Sequence, residues 1–115
     1  MIVKKYDEVE KSEVTMAGAK NTSIRWLVGK DTDAPNFFLR QLEVEPGGHT
    51  PFHNHPYEHE VYVIAGKGQI NKKGGSIPLE KGSFGLVMPG EDHQFENTGD
   101  FTFKFLCVIP DIEKK

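Results

Sequence analysis

The chain has little cysteine, no long apolar run and no excess of positive charge, and each shortage excludes a class of protein. Cys107 is its only cysteine, which excludes a disulfide framework and a cysteine-based zinc finger. Its apolar runs span only a few residues, so no membrane-spanning segment is predicted. The net charge of −3, with no basic cluster, argues against a nucleic-acid partner. The N-terminal residues lack the apolar core of a secretory signal, so we expect a cytoplasmic protein.

The sequence also lacks a helical period of apolar residues that continues beyond two turns. Short β-rich runs alternate instead with glycine and proline turns, at residues 23–29, 36–44, 60–65, 69–72, 76–79, 83–88, 93–97 and 101–109. This pattern predicts an all-β barrel or sandwich. We expect three segments in a chain of this length: an N-terminal arm or edge strand over 1–22, a barrel over 23–110 and a C-terminal tail over 111–115.

Histidine is concentrated in one short part of the sequence. Four of the five histidines lie between positions 49 and 59. In a strand, residues two apart point the same way, so His53 and His55 are predicted side by side, with their Cβ atoms about 6 to 7 Å apart. His59 has the same parity, and His93 follows a Pro-Gly turn on a separate run. The spacing predicts a metal site formed by these four imidazoles.

Other polar residues near the histidines admit two interpretations each. Glu58 and Glu60 have the opposite parity and either orient ligand imidazoles or face solvent. Arg40 shares a parity with mostly apolar neighbours, so it either reaches an anionic ligand inside the barrel or is a surface charge. His49 is interpreted as a solvated loop residue, and Cys107 as a small buried residue of the core.

Two groups of residues resemble the two motifs of the cupin superfamily. The first motif corresponds to Gly47, His53, His55, His59 and Gly66, and the second to Gly82, Met88, Gly90, His93 and Asn97. The sequence departs from the motifs twice, with His59 in place of the usual glutamate and Met88 in place of the usual proline. The chain is thereby similar to small single-domain members, of the cupin 2 conserved barrel type, that have a four-histidine metal site. The resemblance implies an antiparallel double-stranded β-helix, or jelly-roll barrel, of about six to eight strands with the metal in its mouth.

The resemblance also suggests which metal and which ligand the site takes. Manganese is the expected divalent metal, with iron, nickel and zinc as alternatives, because the general affinity order does not select among them. Two open metal positions suit a small carboxylate such as oxalate or a 2-oxo acid. The protein is then either a decarboxylase, dioxygenase or isomerase, similar to oxalate decarboxylase, or a non-catalytic binding or sensing protein. No general acid or base stands out, so catalytic residues are not assigned.

A small jelly roll has exposed strand edges, which proteins usually cover. The strand around Ile24, Trp26 and Val28 is apolar and is predicted to pair across a two-fold axis. We therefore expect a homodimer.

Overall fold

The chain folds into one antiparallel sheet that curls into a nearly closed barrel. The computed structural model describes residues 1–112. Its strands are β1 Lys11–Glu13, β2 Lys20–Val28, β3 Phe37–His49, β4 His59–Ala65, β5 Lys67–Lys72, β6 Gly75–Glu80, β7 Phe84–Val87, β8 His93–Asn97 and β9 Phe103–Pro110. Two 3₁₀-helices, Tyr6–Glu8 and Lys30–Thr32, are the helices of this part of the chain, and no helix within it is long and apolar enough to cross a membrane. The predicted all-β jelly-roll fold is confirmed.

The long strand β3 organises the sheet. It pairs with β2, β8 and β9, and the strand order is β6-β5-β8-β3-β9-β4-β7. Strand β9 lies between β3 and β4, so the C-terminal strand is central. The described residues form nine strands, more than the expected six to eight.

Alternation along the strands builds the core. On β9 the inward side chains are Phe103, Phe105, Cys107 and Ile109, each at most 1 % exposed. Cys107 is therefore buried as predicted. Phe101, which shares this parity, lies before β9 and is 80 % exposed. The strand therefore begins at Phe103 rather than at the predicted residue 101.

The N-terminal region adds a short edge strand to the sheet. Strands β1 and β2 form a hairpin, and β2 begins at Lys20 rather than at the predicted residue 23. Strand β1 pairs with residues 23–25 of β2, so Ile24 lies within this pairing, whereas Trp26 and Val28 lie beyond it. One edge of the predicted partner strand is thus partly covered by β1, and its other edge pairs with β3. The C-terminal end of the expected tail, residues 113–115, lies outside the described part of the chain.

One glycine fixes the corner between β4 and β5. Gly66 has a φ of +82°, and a Cβ at this position would lie 2.4 Å from the Thr102 carbonyl oxygen. The turn therefore needs glycine both for its backbone conformation and for the close approach of the neighbouring chain.

Candidate metal centre

The backbone of the loop between β3 and β4 places His53 and His55. Residues 50–58 do not form the strand that the alternation assumed, and only His53 makes an isolated bridge, with His93. The His53 N–H donates to the His93 carbonyl at 3.1 Å, and the His93 N–H donates to the His53 carbonyl at 2.9 Å. The Gly90 N–H donates to the His55 carbonyl at 2.8 Å. These bonds join the two histidine-bearing segments.

Four imidazole rings meet inside the barrel. The potential ligand atoms of His53, His55 and His93 all lie within 4.8 Å of one another. His59, the first residue of β4, adds its Nε2 atom 3.0 Å from Nε2 of His93. The centroids of the His55 and His59 rings are 5.1 Å apart. The structure therefore brings together all four histidines that the sequence singled out.

Hydrogen bonds at the far side of two rings turn their Nε2 atoms toward the cluster. His93 Nδ1 lies 2.8 Å from the Glu91 carbonyl oxygen, which can only accept, so Nδ1 carries a proton and Nε2 is the nitrogen with the lone pair in the neutral ring. His59 Nδ1 lies 3.0 Å from Cys107 Sγ, which leaves its Nε2 facing His93. Two nitrogens bound at about 2.1 Å to adjacent positions of an octahedral ion are about 3.0 Å apart. The observed separation of the two Nε2 atoms fits a shared metal ion.

The surroundings of three of the four imidazoles favour the neutral form of the ring. Burial, followed by the charges of neighbouring histidines and of Arg40, lowers the pKa of His55 to about 4 and that of His59 to about 3. The same causes lower the pKa of His53. Metal ions bind the neutral imidazole, so these rings need not lose a proton at neutral pH before they bind.

Arg40 reaches the same cavity from β3. It lies directly opposite Cys107 on β9, and its Nη2 donates to Cys107 Sγ at 2.8 Å. Its Nε is buried and has no hydrogen-bond partner in the described part of the chain. The structure thus favours the inward orientation of Arg40 over the surface alternative, with a donor left for a ligand.

The cavity that holds these groups has a volume of about 420 Å³. Its lining residues are Val14, Thr15, Met16, Ile24, Trp26, Arg40, Leu42, Thr50, Pro51, His53, His55, His59, His93, Phe95, Phe105 and Cys107. We call the part of the lining formed by the four imidazoles, Arg40 and Cys107 the floor of the cavity, and the part formed by apolar side chains its wall. The chemistry of the floor is that of a cation site beside an anion-binding guanidinium.

The family follows from a direct comparison. The Cupin_2 family model, described as a cupin domain, matches residues 40–109. The chain belongs to the cupin family. The cupin is 31 % identical over 111 residues to the oxalate-binding protein of Thermotoga maritima, covering 88 % of this chain and 91 % of that protein. It is 27 % identical over 110 residues to the L-ectoine synthase of Aliivibrio fischeri, covering 95 % and 84 %. Among solved structures, the polyketide cyclase RemF from Streptomyces resistomycificus has a TM-score of 0.90 and 33 % identity, covering 96 % of this cupin and 79 % of RemF.

The two glutamates near the motif lie away from the cavity of the cupin. Glu58 and Glu60 are exposed, and neither side chain hydrogen-bonds an imidazole within residues 1–112. The orienting contacts expected from them come instead from the Cys107 sulfur and the Glu91 carbonyl. His49 ends β3 rather than lying in a loop, and its Nδ1 lies 3.3 Å from Gln94 Nε2, outside the cluster.

Sequence reasoning missed three residues at the site of this cupin. Cys107 contacts both Arg40 and His59 in addition to its place in the core. Tyr57 stacks on His55, with ring centroids 4.6 Å apart and planes 3° from parallel. Trp26 lines the cavity and was assigned to a dimer contact. The parity of Cys107 was a usable signal, but its contacts depend on the β3–β9 register, which the sequence does not show.

Proposed function

We propose that this cupin binds a divalent transition metal ion through His53, His55, His59 and His93. The observation that carries the proposal is the meeting of four imidazole rings in one cavity. Four nitrogen ligands leave two positions open on an octahedral ion. Manganese is the first candidate by resemblance, and iron, nickel and zinc are the alternatives that metal analysis separates.

We propose a small carboxylate as the ligand of the open positions. The unpartnered Nε of Arg40 supplies a donor beside the imidazoles, and a guanidinium is well matched to a carboxylate. The name of the oxalate-binding relative supports the same class of ligand. Binding, with or without turnover, is therefore the function that the site supports best.

A metal-dependent enzyme is the second candidate. The L-ectoine synthase and the polyketide cyclase RemF, both similar to this chain, are named as enzymes. A bound metal ion supplies Lewis-acid polarisation of a carboxylate or carbonyl oxygen. No aspartate or glutamate lines the cavity within residues 1–112, and its four histidines are the proposed metal ligands, so the lining group left to donate or accept a proton is the Cys107 thiol. Decarboxylation, dioxygenation and isomerisation are the reactions to test.

Metal content is the decisive measurement for the first proposal. The purified protein is expected to hold close to one transition metal ion per chain by elemental analysis. His53→Ala and His93→Ala should each lose most of this metal, whereas His49→Ala, outside the cluster, should keep it. Unchanged metal in both cluster variants would overturn the proposed site.

Turnover distinguishes the two candidate functions. The manganese and iron forms are incubated with oxalate, 2-oxo acids and catechols under oxygen, and binding is followed by calorimetry. Saturable carboxylate binding without product supports the binding protein, and product formation that depends on the metal supports the enzyme.

We also propose that the protein is a cytoplasmic homodimer. The outer face of β4 and β7 carries Tyr62, Phe84 and Leu86, which are 51 %, 82 % and 56 % exposed. Strand β7 lies at one end of the sheet order, where a second chain can pair with it. The cytoplasmic location rests on the sequence expectation.

A further inference from the structure

The cavity is larger than a two-carbon acid needs. Its volume of about 420 Å³ lies within the range of about 300 to 1,000 Å³ seen for sites that hold drug-sized molecules. Most of the polar lining groups belong to the floor, and Thr15 and Thr50 are the polar lining residues outside it. Beyond the floor the wall is formed by apolar side chains. A bare carboxylate bound at the floor would leave this wall uncovered.

Trp26 forms the part of the wall next to Arg40. The Arg40 guanidinium carbon lies 5.5 Å from the centre of the Trp26 ring. The indole is also packed edge-on against Phe38, with ring centroids 6.1 Å apart, and is 43 % exposed. A group attached to a carboxylate at Arg40 therefore lies within reach of an indole surface that is already held in place.

Met16 extends the apolar wall at the mouth of the cavity. It belongs to the β1–β2 loop and is 57 % exposed. The loop is fixed by hydrogen bonds from the Ala19 N–H to the Met16 carbonyl at 3.0 Å and from the Val14 N–H to the Thr22 carbonyl at 2.9 Å. An adaptable thioether side chain beside an indole suits the flat face of an aromatic ring.

We propose that the ligand is a carboxylate that carries an aromatic group, such as an aryl-substituted 2-oxo acid. Its carboxylate binds at the metal and Arg40, and its ring packs against Trp26 and Met16. The carboxylate and metal part of this inference rests on the proposed function, and the ring contacts extend it. Trp26 and Met16 are then the residues that determine specificity.

The test compares pyruvate with phenylpyruvate, which differ by one phenyl group. Both are titrated by calorimetry into the metal-loaded protein, with 4-methyl-2-oxopentanoate as an apolar acid without a ring. Phenylpyruvate is expected to bind about tenfold more tightly than pyruvate, with the branched acid between them, because a buried aromatic contact adds to the buried area. Trp26→Leu should reduce the ratio to about twofold, and Trp26→Phe should restore part of it.

Two further variants keep the result interpretable. Met16→Ala, in an exposed loop, should lower the ratio about two- to threefold even if Trp26→Leu does not fold. Phe101→Leu, an exposed aromatic outside the cavity, should leave the ratio at the wild-type value. Equal affinities for the two acids in the wild type, or a wild-type ratio in the Trp26 and Met16 variants, would overturn the inference. Pyruvate binding that persists in that case leaves the proposed function standing, and no binding of either acid overturns both.

Discussion

Arg40 carries a structural cost at a single residue, which the proposed contact with a ligand would offset. Its guanidinium donates to the Cys107 sulfur, whereas its buried Nε is unpartnered within residues 1–112. A buried donor without a partner lowers the stability of the folded state by about 1 to 3 kcal/mol. Such an arrangement suits a site that gains its missing partner from a ligand.

Arg40→Met separates these two effects. In the metal-free protein we expect the free energy of unfolding to stay the same or to rise by up to about 1 kcal/mol, because the unpartnered donor is removed. Carboxylate affinity of the metal-loaded form should fall about tenfold or more. Urea unfolding and calorimetry measure the two quantities.

Arg25→Met is the matched control for this prediction. Arg25 donates from Nε to Glu43 at 2.8 Å, and both side chains are largely buried. Its loss leaves the Glu43 carboxylate without this partner, so unfolding free energy should fall by about 2 to 4 kcal/mol. A comparable loss in Arg40→Met would contradict the view that Arg40 is kept for a ligand.

The depressed histidine pKa values make stability depend on pH. In the unfolded chain histidine has a pKa of about 6.5, whereas the folded values are about 4 for His55 and about 3 for His59. Between the folded pKa values and the unfolded value of about 6.5, the unfolded chain binds more protons than the folded chain. The free energy of unfolding therefore rises with pH in this range. The metal-free protein should therefore lose stability steadily from about pH 6.5 down to about pH 4.

His59→Gln tests the origin of this slope. Urea unfolding midpoints are measured for the metal-free wild type and the variant across the same pH range. The variant should show a shallower decline, because one strongly shifted group has been removed. Equal slopes would mean that other groups cause the pH dependence.

At the scale of strands and turns, the corner at Gly66 is the most constrained position. The substitution Gly66→Ala introduces a Cβ that meets the Thr102 carbonyl and also strains the positive φ. Gly74, with a φ of +85° and no atom within 4 Å of a Cβ placed there, provides the strain without the clash. We expect unfolding free energy to fall by about 1 kcal/mol for Gly74→Ala and by about 3 kcal/mol or more for Gly66→Ala. Equal losses, measured by thermal unfolding, would show that the close approach to Thr102 is unimportant.

The strands and loops also show which parts of the structure the sequence predicts and which it does not. The strand His93–Asn97 was predicted with its observed bounds because turn residues frame it and its alternation is strict. The prediction applies strand alternation to His53 and His55, which lie in the loop of residues 50–58, and they still converge because backbone hydrogen bonds to His93 and Gly90 place them. Alternation describes one strand, but the Cys107 contacts and the Trp26 wall arise from pairings between distant strands.

At the scale of the whole molecule, the exposed apolar face of β4 and β7 is the proposed contact surface of the homodimer. Light scattering is expected to give twice the 12.9 kDa mass of one chain. Phe84→Glu should shift the mass toward the monomer, because it places a charge on the proposed contact face. Phe101→Glu, at an exposed aromatic away from β7, should leave the mass unchanged. A wild-type mass near 12.9 kDa would contradict the homodimer.

The central position of the C-terminal strand has a consequence for how the protein is made. Arg40 and Cys107 are 67 positions apart in the chain and face each other across β3 and β9. During synthesis β9 leaves the ribosome after β3 and β4, so one edge of each of these strands stays open, and the cavity lacks Cys107, until β9 has been made. A chain that stops short of β9 loses the sheet closure and the floor of the cavity together. A closed sheet and a complete cavity therefore depend on pairing between segments that are made at different times.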